Sequence, residues 1–251
     1  MAPTARPSGP DGANGTLGIV EAAPWADAFL VPTSTPDGVR VFVVERFDDG
    51  VSVEAQELTD GVAAGRVVLD GVRLGADRLL GGAEVADWLA ARGTVGLCAA
   101  QLGVVERALE LTAEYARNRV QFARPIGSFQ AVSQRLADAW IDVAGVRLTM
   151  WQAAWRLAGN FPARADVATA KFWAADAGHR VAHTAVHVHG GMGIDTSYHV
   201  HRYFAAAKHY EFALGGATAQ LRHIGAELAK AVPRSGLNRW MITSIIRPIC
   251  L

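Results

Sequence analysis

What this sequence has little of narrows the possibilities first. Cysteine occurs twice in 251 residues, as Cys98 and Cys250. Two so far apart exclude a disulfide framework and a cysteine-based zinc site. Neither sign of charge predominates, with 24 Lys plus Arg against 24 Asp plus Glu, so no overall basic field points to nucleic acid. No uninterrupted apolar run reaches the roughly 18 residues expected of a membrane span. The stretch from Met1 to Asn14 is rich in Pro, Gly and Ala without an apolar centre, which argues against a secretory signal. These absences lead to the expectation of a soluble, cytoplasmic protein in a reducing compartment.

Apolar residues make up 51% of the chain, enough for one large domain or two smaller ones with a packed core. Residues 1–15 read as a disordered leader. From there to residue 82 the pattern is short and β-like. Ala28–Pro32, Val39–Val44, Val51–Ala55 and Arg66–Asp70 are strand-length runs, with Gly71–Leu74 as a further strand exit. Pro36-Asp37-Gly38 and Asp48-Asp49-Gly50 supply turn chemistry between them.

Over residues 83–230 the period becomes helical. Val95, Cys98, Leu102, Val105, Leu109 and Thr112 step by three and four along a first helix ending near Arg117. A second carries Val132, Leu136, Ala139, Val143, Val146, Met150, Ala154 and Leu157, and Gly159-Asn160-Phe161-Pro162 stops it. A third, from about Arg164 to His187, carries Val167, Ala170, Ala174, Ala177, Val181 and Thr184, and a fourth spans about Leu214 to Ala229. Cys98 falls on the first apolar stripe, where a small buried thiol is expected. Long helices joined by short loops pack antiparallel, so the fold class expected is α+β, a short β-domain followed by a helical bundle. Residues 231–251 continue none of these patterns; their Trp240, Met241 and four isoleucines would suit a partner or a groove.

Two stretches stand out. Arg119-Val120-Gln121-Phe122-Ala123-Arg124-Pro125-Ile126-Gly127-Ser128-Phe129-Gln130 joins the first two helices, with Ser128 placed to N-cap the second. Its Arg offers a donor fork suited to phosphate and its Gln a paired donor and acceptor. An Arg pairing with a local carboxylate and a Gln capping a helix fit the same residues. Gly190-Gly191-Met192-Gly193 follows a helix rather than a strand, so it is a helix cap and tight turn or a backbone approach to a ligand, not a dinucleotide fingerprint. His179, His183 and His187 recur on one helix face. With no Glu between them as in His-Glu-x-x-His, solvated or hydrogen-bonded histidines are expected and no metal.

Arg-x-Gln-Phe-x-x-Pro-Ile-x-x-Phe-Gln resembles the signature between the first two bundle helices of the acyl-CoA dehydrogenase C-terminal domain, with Ala123 where Gly is usual. Val186-His187-Val188-His189-Gly190-Gly191-Met192-Gly193 is similar to that family's Gln-x-His-Gly-Gly-x-Gly segment, with His187 in place of Gln. The likeness runs from about Thr16 to Ala229. It implies a partial middle β-domain and the complete bundle, with the family's N-terminal helical domain having no counterpart ahead of Thr16. It also implies FAD, an acyl-CoA thioester substrate, and a homo-oligomer or hetero-oligomer with a related chain. Arg119, Phe122 and Gln130, with His187, Gly190 and Gly191 opposite, would contact the adenine–pyrophosphate half of a flavin held mainly by the neighbouring subunit.

The resemblance also exposes a gap. Family enzymes take an α-proton from the thioester with a Glu that opens a Glu-Gly-Thr-x-x-x-Gln segment. Here the counterpart is Leu214-Gly215-Gly216-Ala217-Thr218-Ala219-Gln220. The alternative base position, near Ala91 to Gly93, has no carboxylate either. Glu211 is the nearest one, and an ion-pairing role competes with a catalytic one for it. The surrounding residues also look like heteromeric members acting on steroid side-chain thioesters, in which one chain lacks the base and a related chain supplies it. Three functions follow from the resemblance: flavin-dependent α,β-dehydrogenation within an oligomer, a non-catalytic subunit stabilising an active paralogue, or an inactive copy.

Overall fold

The computed structural model describes residues 6–7 and 12–231. Seven strands come first: β1 (Arg6–Pro7), β2 (Gly12–Glu21), β3 (Ala28–Thr35), β4 (Gly38–Glu45), β5 (Val51–Glu57), β6 (Ala63–Arg73) and β7 (Leu79–Gly81). They form two antiparallel sheets, ordered β1-β2-β6-β5 and β3-β4-β7. Leu17, Phe29, Val31, Val44, Val67, Leu69 and Val72 close one core between them. Alternation does the sorting: along β3, Phe29, Val31 and Thr33 are buried while Ala28 and Leu30 face out, as a period of two requires. The two turns read from sequence are there. Gly38 holds φ +111, and a Cβ on Gly50 would lie 2.1 Å from the Asp70 carbonyl oxygen, so only glycine fits.

The disordered leader expected over 1–15 does not hold from Gly12 onward. β2 starts there, pairing Gly12 with Arg73 and Thr16 with Val68, and Arg6 pairs back onto Asn14. Asn14 Oδ1 accepts the Gly71 N–H at 2.5 Å. The partner strand lies some fifty residues away in sequence, and local composition is blind to such pairing. Likewise β6 is one continuous strand through Gly71 to Arg73, where the sequence reading placed a strand exit, and the φ of +67 at Gly71 lets the backbone bend there.

The bundle comprises α1 (Ala83–Asn118), α2 (Gln130–Ala158), α3 (Arg164–His189), α4 (Val200–Phe212) and α5 (Ala217–Ala231). The predicted stripes form its core: Cys98, Leu102 and Val105 of α1 meet Ala139, Val143, Val146 and Met150 of α2 and Val167, Ala170, Ala174, Ala177 and Val181 of α3. α3 is the central helix, packed against all four others, which is why small residues crowd it. A Cβ on Gly178 would sit 1.8 Å from Gln101 Nε2, and one on Gly145 of α2 would sit 2.8 Å from the Trp173 ring. By length and composition alone α1 is apolar enough to cross a membrane, with a mean hydropathy of 1.3 over its best 18-residue window. Its apolar stripe is instead packed on α2 and α3.

α4 was not expected. It buries only Val200 and Ala207, too little to show a helical period, and its aromatic and basic residues read as surface. The last helix starts at Ala217 rather than Leu214, because Leu214 at φ +54 and Gly215 at φ +96 reverse the chain. The apolar run from Trp240 to Ile249 lies outside the described residues.

Candidate functional site

α1, α2 and α3 run up, down and up, so the C-terminal ends of α1 and α3 and the start of α2 share one end of the bundle. Tyr115, one turn before the end of α1, stacks on His189 at 4.3 Å between ring centroids and directs its hydroxyl to Met192 Sδ at 3.9 Å. The structure thereby brings both predicted stretches to the same end. Arg119 caps α1, its N–H donating to the Tyr115 carbonyl and its own carbonyl accepting from Ile126 N–H. Then β8 (Val120–Gln121) and β9 (Arg124–Pro125) form a minimal hairpin turned by Phe122 and Ala123 at φ +52 and +62. Two positive φ values give the hairpin the twist of a type I′ turn. The glycine that Ala123 replaces would adopt it without strain.

Phe122 is 88% exposed at the hairpin tip and meets Phe129 edge-to-face, while the Arg124 guanidinium lies 4.1 Å over the Phe129 ring. Arg119 and Gln130 are both exposed, and neither side chain has a hydrogen-bond or ion-pair partner among the described residues. Ser128 does not cap α2. Phe129 holds the N-cap position, and Ser128 Oγ donates back to the Pro125 carbonyl at 2.7 Å. On the opposing loop, Gly190 caps α3 at φ +63, and nothing lies within 4 Å of a Cβ built on it or on Gly191. His187 is exposed; His189 is buried, its Nδ1 2.8 Å from the Ala185 carbonyl and its Nε2 without a partner among the described residues, and burial holds its pKa below the ordinary value. A free guanidinium, a free amide and open glycine backbone at one bundle end form a donor set that fits a phosphate-bearing cofactor such as FAD.

The opposite end holds the residues around Leu214. A Cβ on Gly93 of α1 would lie 3.7 Å from Leu214 Cδ1, so the two positions picked out by resemblance face each other, and neither carries a carboxylate. Three long polar side chains fasten the end of α4 and this turn. Gln101 Nε2 donates to the Ala174 and Ala207 carbonyls. Lys171, fully buried, donates to the carbonyls of Tyr210 at 2.9 Å and Glu211 at 3.2 Å. Gln220 Nε2 reaches those of Leu214 and Gly215. Burial lowers the Lys171 pKa, with Cys98 and Glu211 opposing it, and pushes the Cys98 thiol up to about 12. None of these donors stood out in the sequence; the available signal was a lysine and a glutamine lying on otherwise apolar stripes.

Glu211, the nearest carboxylate, is engaged. Its Oε2 lies 2.6 Å from Lys208 Nζ and 3.2 Å from His179 Nδ1, with 14% of its side chain exposed. The His179 and His183 rings meet at a tilt along α3, their centroids 4.3 Å apart, beside a cleft of about 310 Å³ that Arg135, Asp138, Asp142 and Arg180 also line. Arg180 is held bidentate by Asp142, at 2.8 and 2.6 Å, and by Asp176, which raises its pKa further. The histidine row thus lies in a field of ion pairs. Among the described residues no three His, Cys, Asp or Glu side chains are grouped as metal ligands.

Comparison with known proteins follows the same geometry. The family profile for the acyl-CoA dehydrogenase C-terminal domain matches residues 81–229. The chain is 58% identical over 224 residues to the acyl-CoA dehydrogenase FadE27 of Mycobacterium tuberculosis, covering 86% of this chain and 60% of that protein. It is 29% identical over 229 residues to the short-chain-specific acyl-CoA dehydrogenase of Megasphaera elsdenii, covering 86% of this chain and 60% of the relative. In three dimensions it matches a chain of the ChsE4–ChsE5 complex of M. tuberculosis with a TM-score of 0.87 and 57% identity, over 93% of this chain and 64% of that one. The chain therefore spans about 60% of the length of these curated relatives, and it belongs to the acyl-CoA dehydrogenase family.

Proposed function

We propose that this chain takes part in flavin-dependent α,β-dehydrogenation of an acyl-CoA thioester as one subunit of an oligomer. It contributes the adenine–pyrophosphate contacts of FAD, and a related chain supplies the catalytic base. The observation that carries this reading is the facing pair Leu214 and Gly93, where neither position can accept a proton. Glu211 does not substitute, because its carboxylate is tied to Lys208 and His179 three residues before the turn. Arg119 would bind the pyrophosphate through its guanidinium and Gln130 through its amide, with Phe122 packing beside them. The Gly190–Gly191 backbone would approach the same group, and His187 would donate one hydrogen bond where an amide would make two. When bound, FAD supplies the hydride acceptor for the β-carbon. The pairing of two different chains in the ChsE4–ChsE5 complex supports a heteromeric assembly.

A second reading, a non-catalytic subunit that stabilises an active relative, is favoured by the same apolar pair and differs in what Arg119 does. The test is flavin absorbance and electron-acceptor reduction across a panel of acyl-CoA thioesters, on the chain alone and co-expressed with a carboxylate-bearing relative. The expected result is turnover only in the co-expressed assembly, with flavin content falling in Arg119→Ala. Unchanged flavin in Arg119→Ala favours the stabilising subunit. Robust turnover by the chain alone that disappears in Glu211→Gln overturns both.

A further inference from the structure

Where the strands meet the bundle, one imidazole lies between two carboxylates. His209, near the end of α4, has a side chain only 8% exposed. Its Nε2 is 2.9 Å from Glu21 Oε1 at the end of β2, and its Nδ1 is 3.3 Å from Asp60 Oδ2 in the turn between β5 and β6. The Asp60 side chain is 5% exposed, and its other oxygen accepts the Val62 N–H at 3.1 Å. A neutral imidazole has one N–H and one lone pair, so it can donate to only one of these carboxylates and sets lone pair against lone pair at the other. The imidazolium donates its Nε2–H to Glu21 and sets its charge at ion-pair distance, 3.3 Å, from Asp60. A buried carboxylate also needs a positive neighbour, and among the described residues no Lys or Arg is paired with Asp60.

The other groups facing the ring do not supply that charge. Tyr210, next on α4, meets the imidazole edge-on at 5.1 Å; burial raises its pKa, with Glu21 and Asp60 adding to the effect. From α3, Lys171 is engaged with the backbone carbonyls of Tyr210 and Glu211.

We infer that His209 is a proton-operated clasp between the strand region and the bundle: protonated, it ties both Glu21 and Asp60 to α4, and on losing a proton it releases one of them. α1 also packs on β4, so the two halves stay joined and the clasp governs the α4 side alone. That side matters to the site, because the Ala213 N–H donates to the His209 carbonyl at 3.1 Å, which places the clasp immediately before the reversal at Leu214.

The test is residue-resolved amide exchange of the full chain at about pH 5 and about pH 8, corrected for intrinsic rates, with ¹⁵N spectra of the imidazoles. Those two values bracket the range in which imidazoles change charge. In the parent, amides around Asp60–Val62 and Ala22–Ala23 should exchange roughly tenfold faster at the alkaline end, as loss of one charge-assisted contact implies. His209→Gln should abolish the difference. Glu21→Gln, an isosteric change at a half-exposed side chain, should reduce it, and decides the matter if His209→Gln does not fold. The His209 ring should carry protons on both nitrogens at the acid end. A singly protonated ring there, equal exchange at the two pH values in the parent, or parental behaviour in either variant overturns the clasp.

Discussion

At the scale of single residues, the hairpin tip carries a cost that its sequence need not have. Ala123 sits at φ +62, a left-handed conformation that costs an L-residue about 1–2 kcal/mol. Ala123→Gly removes that strain but adds the conformational freedom of an unfolded glycine. The expected outcome is a net gain of about 0.5–1 kcal/mol in denaturant unfolding; a loss of stability would mean the turn is not held as described. His189 makes the reverse case. Burial depresses its pKa below the ordinary 6.5, so below that value the unfolded chain binds a proton that the folded chain resists. Its share of stability is present above pH 6.5 and is lost as pH falls through the depressed folded-state value. His189→Phe keeps the stack on Tyr115 and cannot titrate, so its melting temperature should decline less than the parent's on acidification. Parallel declines would place the acid sensitivity elsewhere.

Helices set the next scale. α2 carries two stripes. One is buried in the core, and on the outer face Trp140, Leu148, Trp151 and Trp155 remain 65%, 71%, 64% and 59% exposed at steps of eight, three and four. Such spacing is that of a helix seam seeking a partner, and exposed apolar clusters of this kind mark interfaces. Trp151 and Trp155 lie on this outer surface, while Phe172 and Trp173 of α3 are half-buried and packed on each other. Trp151→Glu should therefore raise the dissociation constant of the proposed oligomer by about thirtyfold, the effect of a hot-spot side chain worth roughly 2 kcal/mol. Sedimentation analysis measures it, and an unchanged mass distribution refutes it. On the inner side, Lys171→Met strips the donor from two buried carbonyls at the end of α4. A loss of about 2–3 kcal/mol in unfolding free energy is expected, and a neutral substitution would mean water or another side chain replaces the ammonium.

For the whole molecule, the two bundle ends divide the labour: free donors at one, an apolar pair braced by buried polar side chains at the other. Under the proposed function, flavin retention reads the first end. Arg119→Ala should weaken it about ten- to a hundredfold, through loss of a charge-assisted bond. Gln130→Ala, which removes a neutral bond, should weaken it by no more than about tenfold. Spectrophotometric titration of the assembled protein with FAD distinguishes the two. Equal affinities for parent and both variants would show that the loop only shapes the helix junction.

The amino-acid sequence by itself determined the architecture of strands then bundle, the stripes of α1, α2 and α3, the turns at Gly38 and Gly50, and the two stretches that meet at one bundle end. Each rests on a local period or on a backbone requirement that neighbouring residues announce. What only the tertiary structure decided depends on pairs distant in the chain. β2 reaches back to Gly12 because β6 is there to pair with it, and α4 is a helix because α1 and α3 cover its few apolar residues. Leu214 faces Gly93 across more than a hundred residues, held by Lys171 and Gln220, whose burial no single stretch of sequence reveals. A polar side chain on an apolar stripe becomes a donor to a particular carbonyl only when packing brings that carbonyl within reach.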